Sequence, residues 1–316
     1  MRRRLEKVLD EVEKAISGKR ETVEKIMLAF LACGHVLLDD VPGVGKTTLA
    51  SAMSRAVGLS CRRVQFTPDV MPSDLVGFTM YDRGTGGFVY RPGALCGVNI
   101  LMGDEINRAS SKTQSALLEA MEEKQVTVDG TTYPLEKPFL VIATQNSVGA
   151  AGTQTLPYAQ MDRFLVRLSL GYPDYASQMA ILRARQDREP MEEIRCVLSG
   201  DEVPQMQKEV SAVTSSEAVL DYITRLTMAS REHEAVSVGV SPRGALFLDR
   251  AAKARAWAND RDYTVGADVR DVFRDVCAHR ILIKEGSGET AESVLEDLLK
   301  TTQSPDRRSF PGRWKA

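Results

Sequence analysis

The 316-residue chain is poor in cysteine and histidine, carries little net charge and contains no long apolar run. Its five cysteines, Cys33, Cys61, Cys96, Cys196 and Cys277, are scattered, odd in number and form no CxxC pair. That usage excludes a disulfide framework and fits reduced, mostly buried thiols. The three histidines, His35, His233 and His279, lie apart from any cysteine cluster, so no zinc pattern is present. A net charge of −2 gives no global pull toward nucleic acid. No stretch reaches the roughly 18 consecutive apolar residues of a membrane span. The opening MRRRLEKVLDEVEKAIS has a basic run, but Glu6, Lys7, Asp10, Glu11 and Glu13 break the apolar core that a signal peptide needs. It is expected to form an amphipathic helix of a cytoplasmic protein.

What is present is ordinary globular composition, 43% hydrophobic and 27% charged, in a chain long enough for two domains. Val23, Ile26, Met27, Phe30 and Leu31 recur at helical spacing within 22–34. Short apolar runs follow at 35–39, 62–66, 98–102, 139–144 and 164–168, separated by helical segments such as 111–124. Continuous apolar strands alternating with helices predict an α/β fold, a parallel sheet covered on both faces. Two hairpins interrupt the alternation. One is expected at 77–93 around a Gly-rich turn, the other at 125–135, where Asp129-Gly130 is a strong type I′ signal. From about 173 the strands stop and helical spacing takes over, with Ser241 and Pro242 as N-cap and first residue of one helix. The expected division is a nucleotide-binding core at 1–185, a helical domain at 186–302 and a loosely held tail at 303–316.

The chemistry begins where strand 35–39 runs into DVPGVGKTTLA. A strand, a Gly-rich loop and a helix start form an anion cradle, because inward backbone N–H groups and the helix dipole both favour negative charge. Pro42, Gly43, Val44, Gly45, Lys46, Thr47 and Thr48 make up this P-loop, with Lys46 aimed at the β- and γ-phosphates and the Thr47 hydroxyl at Mg²⁺. Asp40 stands where the usual pattern has its first glycine, and a GKT tripeptide alone is a weak signal. The second motif, VNILMGDEINRA, makes it strong: an apolar strand delivers Asp104 and Glu105 to its carboxyl end, where ligands bind in open parallel sheets. Asp104 is placed to hold magnesium and Glu105 to deprotonate the attacking water. P-loop kinases usually lack that second carboxylate, so ATP hydrolysis is favoured over phosphoryl transfer.

Three further residues extend the set, each with a bland alternative. Asn146 ends the strand in ATQN; it faces the γ-phosphate if its strand lies between the other two, and otherwise merely turns out of the sheet. Arg163 in MDRF is a finger for a neighbouring subunit's nucleotide, or one half of a surface pair with Asp162. Arg243 in SPRGAL sits in a first helical turn, where the dipole disfavours a cation unless a phosphate is bound there.

Together DVPGVGKTT, the block ILMGDEINRASSKTQSALLEAMEEKQVTVDG, ATQN, MDRF and SPRGAL resemble the MoxR family of AAA+ ATPases, over about residues 5 to 285. The family tolerates Asp at position 40. The resemblance implies a five-stranded sheet in order 5-1-4-3-2 and an all-α lid. It makes 77–93 the helix-2 insert and 125–135 the pre-sensor hairpin. It also implies that Asn146 is sensor 1, Arg163 the trans finger and Arg243 sensor 2, and that Ile16 and Gly18 lie near the adenine. ATP and Mg²⁺ are then the cofactors. The implied partners are further copies in a hexameric ring and a protein client or adaptor, often one with a von Willebrand factor A domain.

Two other classes compete with this reading. A nucleic-acid translocase related to minichromosome-maintenance helicases would line its hairpins with basic residues. Here 77–93 sets Arg83 and Arg91 against Asp82, and 125–135 has none, so no nucleic acid is expected. A non-hydrolysing switch is disfavoured because Lys46, Asp104, Glu105 and Asn146 are all present. Phe78, Tyr81, Phe88 and Tyr90 on the first hairpin are open to two readings, client contact or, more usually for aromatics, packing.

Overall fold

Helical spacing sets the start of the chain: Leu5, Val8, Leu9 and Val12 share the buried face of α1 (Arg2–Glu13). The structure, a computed structural model, describes residues 2–145, 156–187, 189–199 and 201–307. After α2 (Arg20–Leu31) come β1 (Val36–Asp39), α3 (Lys46–Ala56), β2 (Cys61–Gln65), α4 (Pro72–Val76), β3 (Gly77–Asp82), β4 (Gly87–Pro92) and β5 (Ile100–Asp104). They are followed by α5 (Ser111–Glu123), β6 (Gln125–Val128), β7 (Thr131–Pro134), β8 (Leu140–Gln145), α6 (Tyr158–Met161), β9 (Val166–Leu168) and α7 (Tyr175–Asp187).

Five strands form one parallel sheet in the order β2-β5-β8-β1-β9. Numbered among themselves along the chain and read from the β9 edge, they give 5-1-4-3-2, the expected order. The apolar runs explain which strands are central. β5 and β8 are buried along their whole length and β1 up to its last residue, whereas the edge strand β2 exposes Arg62, Arg63 and Gln65. β5 starts two residues later than the sequence suggests. Asn99 donates its backbone N–H to the Ser60 hydroxyl at 2.9 Å, and the ladder begins only at Ile100. The shift makes Asp104 the last residue of the strand itself.

Both expected hairpins form. β6 and β7 turn at Asp129 (φ 50°) and Gly130 (φ 76°), the pair of positive angles that a type I′ turn requires. β3 and β4 form the other, and the aromatics there divide. Tyr90 stacks on Tyr133 of β7 with centroids 3.9 Å apart, while Phe78, Tyr81 and Phe88 are exposed. Tyr81 and Phe88 meet each other, edge to face at 5.6 Å, so of the four Tyr90 is the one stacked on another hairpin.

The chain divides into two compact units, Met1–Lys208 and Glu209–Ala316, parting within α8 (Glu202–Ser211). The polar stretch near 186–202 reads as a linker or a loop, and hydrogen bonds from it and from α8 tie it to the first unit. Arg195 N–H donates to Glu11, Val197 N–H to the Ala56 carbonyl and the Gln207 amide to the Phe30 carbonyl. The second unit is helical, with α9 (Glu217–Glu232), α10 (Pro242–Ala258), α11 (Gly266–Cys277) and α12 (Ala291–Thr301) around Tyr222, Trp257 and Phe273. It also holds one antiparallel pair, β10 (Val236–Val238) with β11 (Leu282–Ile283), too short to show a strand period in sequence. Ser241 caps α10 as expected, accepting the Gly244 N–H at 3.0 Å, a contact worth about 1 kcal/mol. The tail is firmer than its composition suggests: Ser304 is buried and Asp306 accepts the Gly266 N–H. Residues 308–316 lie outside the described residues. Among the described residues no helix is long and apolar enough to cross a membrane.

Candidate functional site

β1 ends at Asp39 and the chain turns through residues 40–45 into α3. Gly45 is the N-cap of that helix with φ +93°, a left-handed conformation that side-chain-bearing residues rarely adopt. The turn leaves the first α3 amides for a ligand, with Lys46 and Thr47 as the opening residues of the helix. Lys46 is largely buried and donates to the Asp40 carbonyl at 3.0 Å. Burial pushes its ammonium below the usual lysine range, and the carboxylates of Asp40, Asp104, Asp39 and Glu105 oppose that shift. The aspartate in place of the usual glycine has its own work. The Asp40 carboxylate accepts from the Ser169 hydroxyl and from the N–H groups of Leu170 and Gly171, fastening the end of β9 to the loop.

β5 brings the carboxylates to the same place. The Thr47 hydroxyl donates to Asp104 Oδ2 at 3.3 Å, so residues 57 apart in sequence share one oxygen. Arg63 on the neighbouring β2 reaches that oxygen too, at 2.6 Å, with its own side chain 56% exposed. Glu105 follows in a left-handed conformation (φ 58°, ψ 49°), unusual for a residue with a side chain. Its carboxylate accepts from Gln65 Nε2 at 3.2 Å and from Arg108 at 2.9 Å. No group of three or more His, Cys, Asp or Glu able to hold a metal occurs among the described residues. One carboxylate and one hydroxyl suit Mg²⁺, which keeps several waters and takes its remaining ligands from phosphate oxygens. The donor set fits that ion.

Beside the loop lies a cavity of about 310 Å³, bordered by Ile16, Ser17, Gly43, Gly45, Thr48 and Tyr172 among others. Ile16 is next to the loop itself, since a Cβ on Gly45 would stand 3.3 Å from its Cδ1. Gly18 has φ +73°, and a Cβ there would strike the Ser177 hydroxyl at 2.1 Å. A side chain at position 18 would be strained by that φ and would have to displace the Ser177 hydroxyl of α7. Val44 also borders the cavity, and Pro42 forms part of the loop's turn. β8 runs between β1 and β5, the placement that the sensor reading of Asn146 needs. Asn146 itself lies outside the described residues.

Comparison with known proteins converges on one family. The model of the "ATPase family associated with various cellular activities (AAA)" matches residues 35–166, and that of the AAA lid domain matches 228–298. Chaperone MoxR1 of Mycobacterium tuberculosis is 36% identical over 97% of this chain and 84% of its own length. Protein MoxR of Methylorubrum extorquens is 31% identical over 92% and 91%. The chain belongs to the MoxR family of AAA+ ATPases. The uncharacterised protein YeaC of Bacillus subtilis is 41% identical over 96% of both chains. A crystal structure from Cytophaga hutchinsonii, of a chain assigned as an ATPase, superposes with a TM-score of 0.88 at 36% identity, covering 96% of this chain and 95% of that one.

In this MoxR-family chain the arginines stand differently from the loop residues. Arg163 forms an ion pair with Glu122 at 2.8 Å and donates to the Leu118 carbonyl at 3.2 Å, both on α5. It is therefore not simply one half of a pair with its neighbour Asp162. Arg243 belongs to the second unit, in the first turn of α10. Sequence reasoning passed over Arg63, Gln65, Arg108 and Thr144. The first two look like edge-strand residues, and only the register of β2 on β5, with Gln65 opposite Asp104, brings them to the carboxylates. Thr144 lies inside the ATQN motif as its second residue, but only the strand order shows that its hydroxyl meets the acidic pair.

Proposed function

We propose that this chain hydrolyses ATP with Mg²⁺ and works in the cytoplasm as a homo-oligomeric ring, of six subunits, that remodels or matures a partner protein. The observation that carries the proposal is the meeting of the Thr47 hydroxyl and Asp104 at 3.3 Å beside the buried Lys46. Magnesium bound there would neutralise phosphate charge as the terminal phosphoryl group departs. Thr47 and Asp104 would hold it, while Lys46 and the amides of residues 43–48 would bind the phosphates. The cavity at Ile16 receives the base, with Gly18 shaping its wall. Glu105 accepts the proton of the attacking water, and Asn146 orients that water. Arg163 is proposed to serve a neighbour's nucleotide and Arg243 to act from the second unit. The name Chaperone MoxR1, borne by a relative, supports a chaperone-like role. The client or adaptor, including one with a von Willebrand factor A domain, is a partner of this proposed reaction. Nucleic acid is not, since the described hairpins offer few cations.

The test is ATPase activity per subunit as a function of protein concentration. The proposal predicts a rise with assembly and, for Arg163→Ala, a loss of at least about 10³-fold, the scale of an arginine finger. Activity per subunit that stays flat on dilution, and is untouched by Arg163→Ala, contradicts the shared site.

A further inference from the structure

One buried hydroxyl touches both acidic residues of the site and has no part in the mechanism above. Thr144 lies on β8, the strand between β1 and β5, opposite Leu38 and one residue beyond Ala143, which pairs with Gly103. Its side chain is 1% exposed. Thr144 Oγ1 accepts the backbone N–H of Glu105 at 2.9 Å and donates to Asp104 Oδ1 at 3.5 Å. A threonine hydroxyl has one proton to give and two lone pairs to receive with, so it can serve both at once, the Glu105 N–H closely and the Asp104 carboxylate at the outer limit of hydrogen-bond distance.

The two bonds fix different things. Glu105 leaves the strand in a left-handed conformation, and the Thr144 oxygen takes up its N–H there. On the other side, the Thr144 proton goes to Oδ1 of Asp104, while Thr47 and Arg63 meet Oδ2. One aspartate oxygen therefore faces β8, and the other faces the helix carrying Thr47 and the edge strand carrying Arg63. A buried threonine near a strand end ordinarily satisfies itself on the nearest carbonyl. Here its partners are the two residues proposed to hold the cation and activate the water.

We propose that Thr144 is a positioning residue for hydrolysis, setting the backbone of Glu105 and the carboxylate rotation of Asp104 through its single hydroxyl. The assignment presupposes Mg-ATP hydrolysis as argued above. Thr144→Val keeps the β-branched shape and removes the hydroxyl, whereas Thr144→Ser keeps the hydroxyl and removes a methyl. Both are compared with wild type by steady-state ATPase assay and by equilibrium binding of a fluorescent ADP analogue in EDTA, which reads the phosphate loop alone. The expected result is a turnover loss of about 10-fold or more in Thr144→Val, with ADP affinity within about 3-fold of wild type, and near-complete rescue of turnover in Thr144→Ser. Should the valine variant not fold, Thr144→Ala removes the same hydroxyl without added apolar volume, and the same outcome is expected. Wild-type turnover in the hydroxyl-less variant overturns the assignment, as does an equal loss in the serine variant. A wild-type protein that never hydrolyses ATP at any concentration removes the functional reading, and this assignment with it.

Discussion

The two ends of the parallel sheet hold buried polar groups under opposite conditions. At the amino ends of the strands, His35 is fully enclosed: its Nδ1 accepts the Val141 N–H at 3.0 Å and its Nε2–H donates to the Met121 carbonyl at 3.1 Å. Both ring nitrogens are used, the tautomer is fixed, and burial with nearby Lys124 pushes the imidazole pKa down from 6.5 to about 4. At the carboxyl ends, Asp104 divides its oxygens among Thr47, Arg63 and Thr144, and Glu105 sits in a strained turn held by two exposed side chains. One end is closed and neutral. The other keeps charged groups within reach of solvent. Polar groups that only have to be satisfied are locked by the fold, while those that must exchange partners with a ligand are left with partners that can leave.

Substitutions at the two ends separate these roles. The largest effect belongs to the open end: Glu105→Gln is expected to lower turnover by about 10²- to 10⁴-fold while ATP binding, measured calorimetrically, persists. A variant that loses binding and turnover together would show that the carboxylate supports the fold of the loop.

The closed end should answer to pH. His35 has a lower pKa folded than unfolded, so the unfolded chain binds the extra proton. Its contribution to stability is complete above pH 6.5 and is lost as pH falls from 6.5 toward about 4. The shift corresponds to about 3 kcal/mol across that window. Urea midpoints of wild type at pH 7 and pH 4.5 should differ accordingly. His35→Gln, which cannot titrate, should be less stable at pH 7 and show a shallower slope. Equal slopes would remove His35 from the acid response.

The smallest effect concerns Arg63, whose guanidinium meets the Asp104 oxygen proposed to bind the cation. Because its side chain is more than half exposed, the pair is worth no more than about 1 kcal/mol. Arg63→Ala should therefore lower the Mg²⁺ concentration for half-maximal ATP binding by no more than about 5-fold. A higher Mg²⁺ requirement would mean that Arg63 orders Asp104 instead of competing for it.

Much of the open end was legible in the sequence because its signals are local. A strand, a Gly-rich turn and a GKT tripeptide specify the loop within a dozen residues, and an apolar strand specifies where Asp104 and Glu105 emerge. The strand order came from the family resemblance and holds. Partners supplied by register were not legible. Arg63 and Gln65 reach the carboxylates only because β2 pairs with β5 at Gln65–Asp104, and Thr144 because β8 lies on the other side. The ties of the segment after α7 are hidden for a related reason. The segment after α7 is polar in composition, but its backbone bonds go to Glu11 and Ala56, far away in sequence. Asp40 looked like a departure from a motif until its carboxylate proved to gather three donors at the end of β9.

The central claim is that Thr47 on helix α3 and Asp104 on strand β5 hold one and the same cation. A double-mutant cycle on the Mg²⁺ dependence of ATP binding, with Thr47→Val, Asp104→Asn and the double variant, addresses it directly. If both groups serve one ion, the second substitution should cost little once the first is made, leaving a coupling of about 1 kcal/mol or more. Strictly additive losses, or Mg²⁺ dependence unchanged in either single variant, would contradict the account.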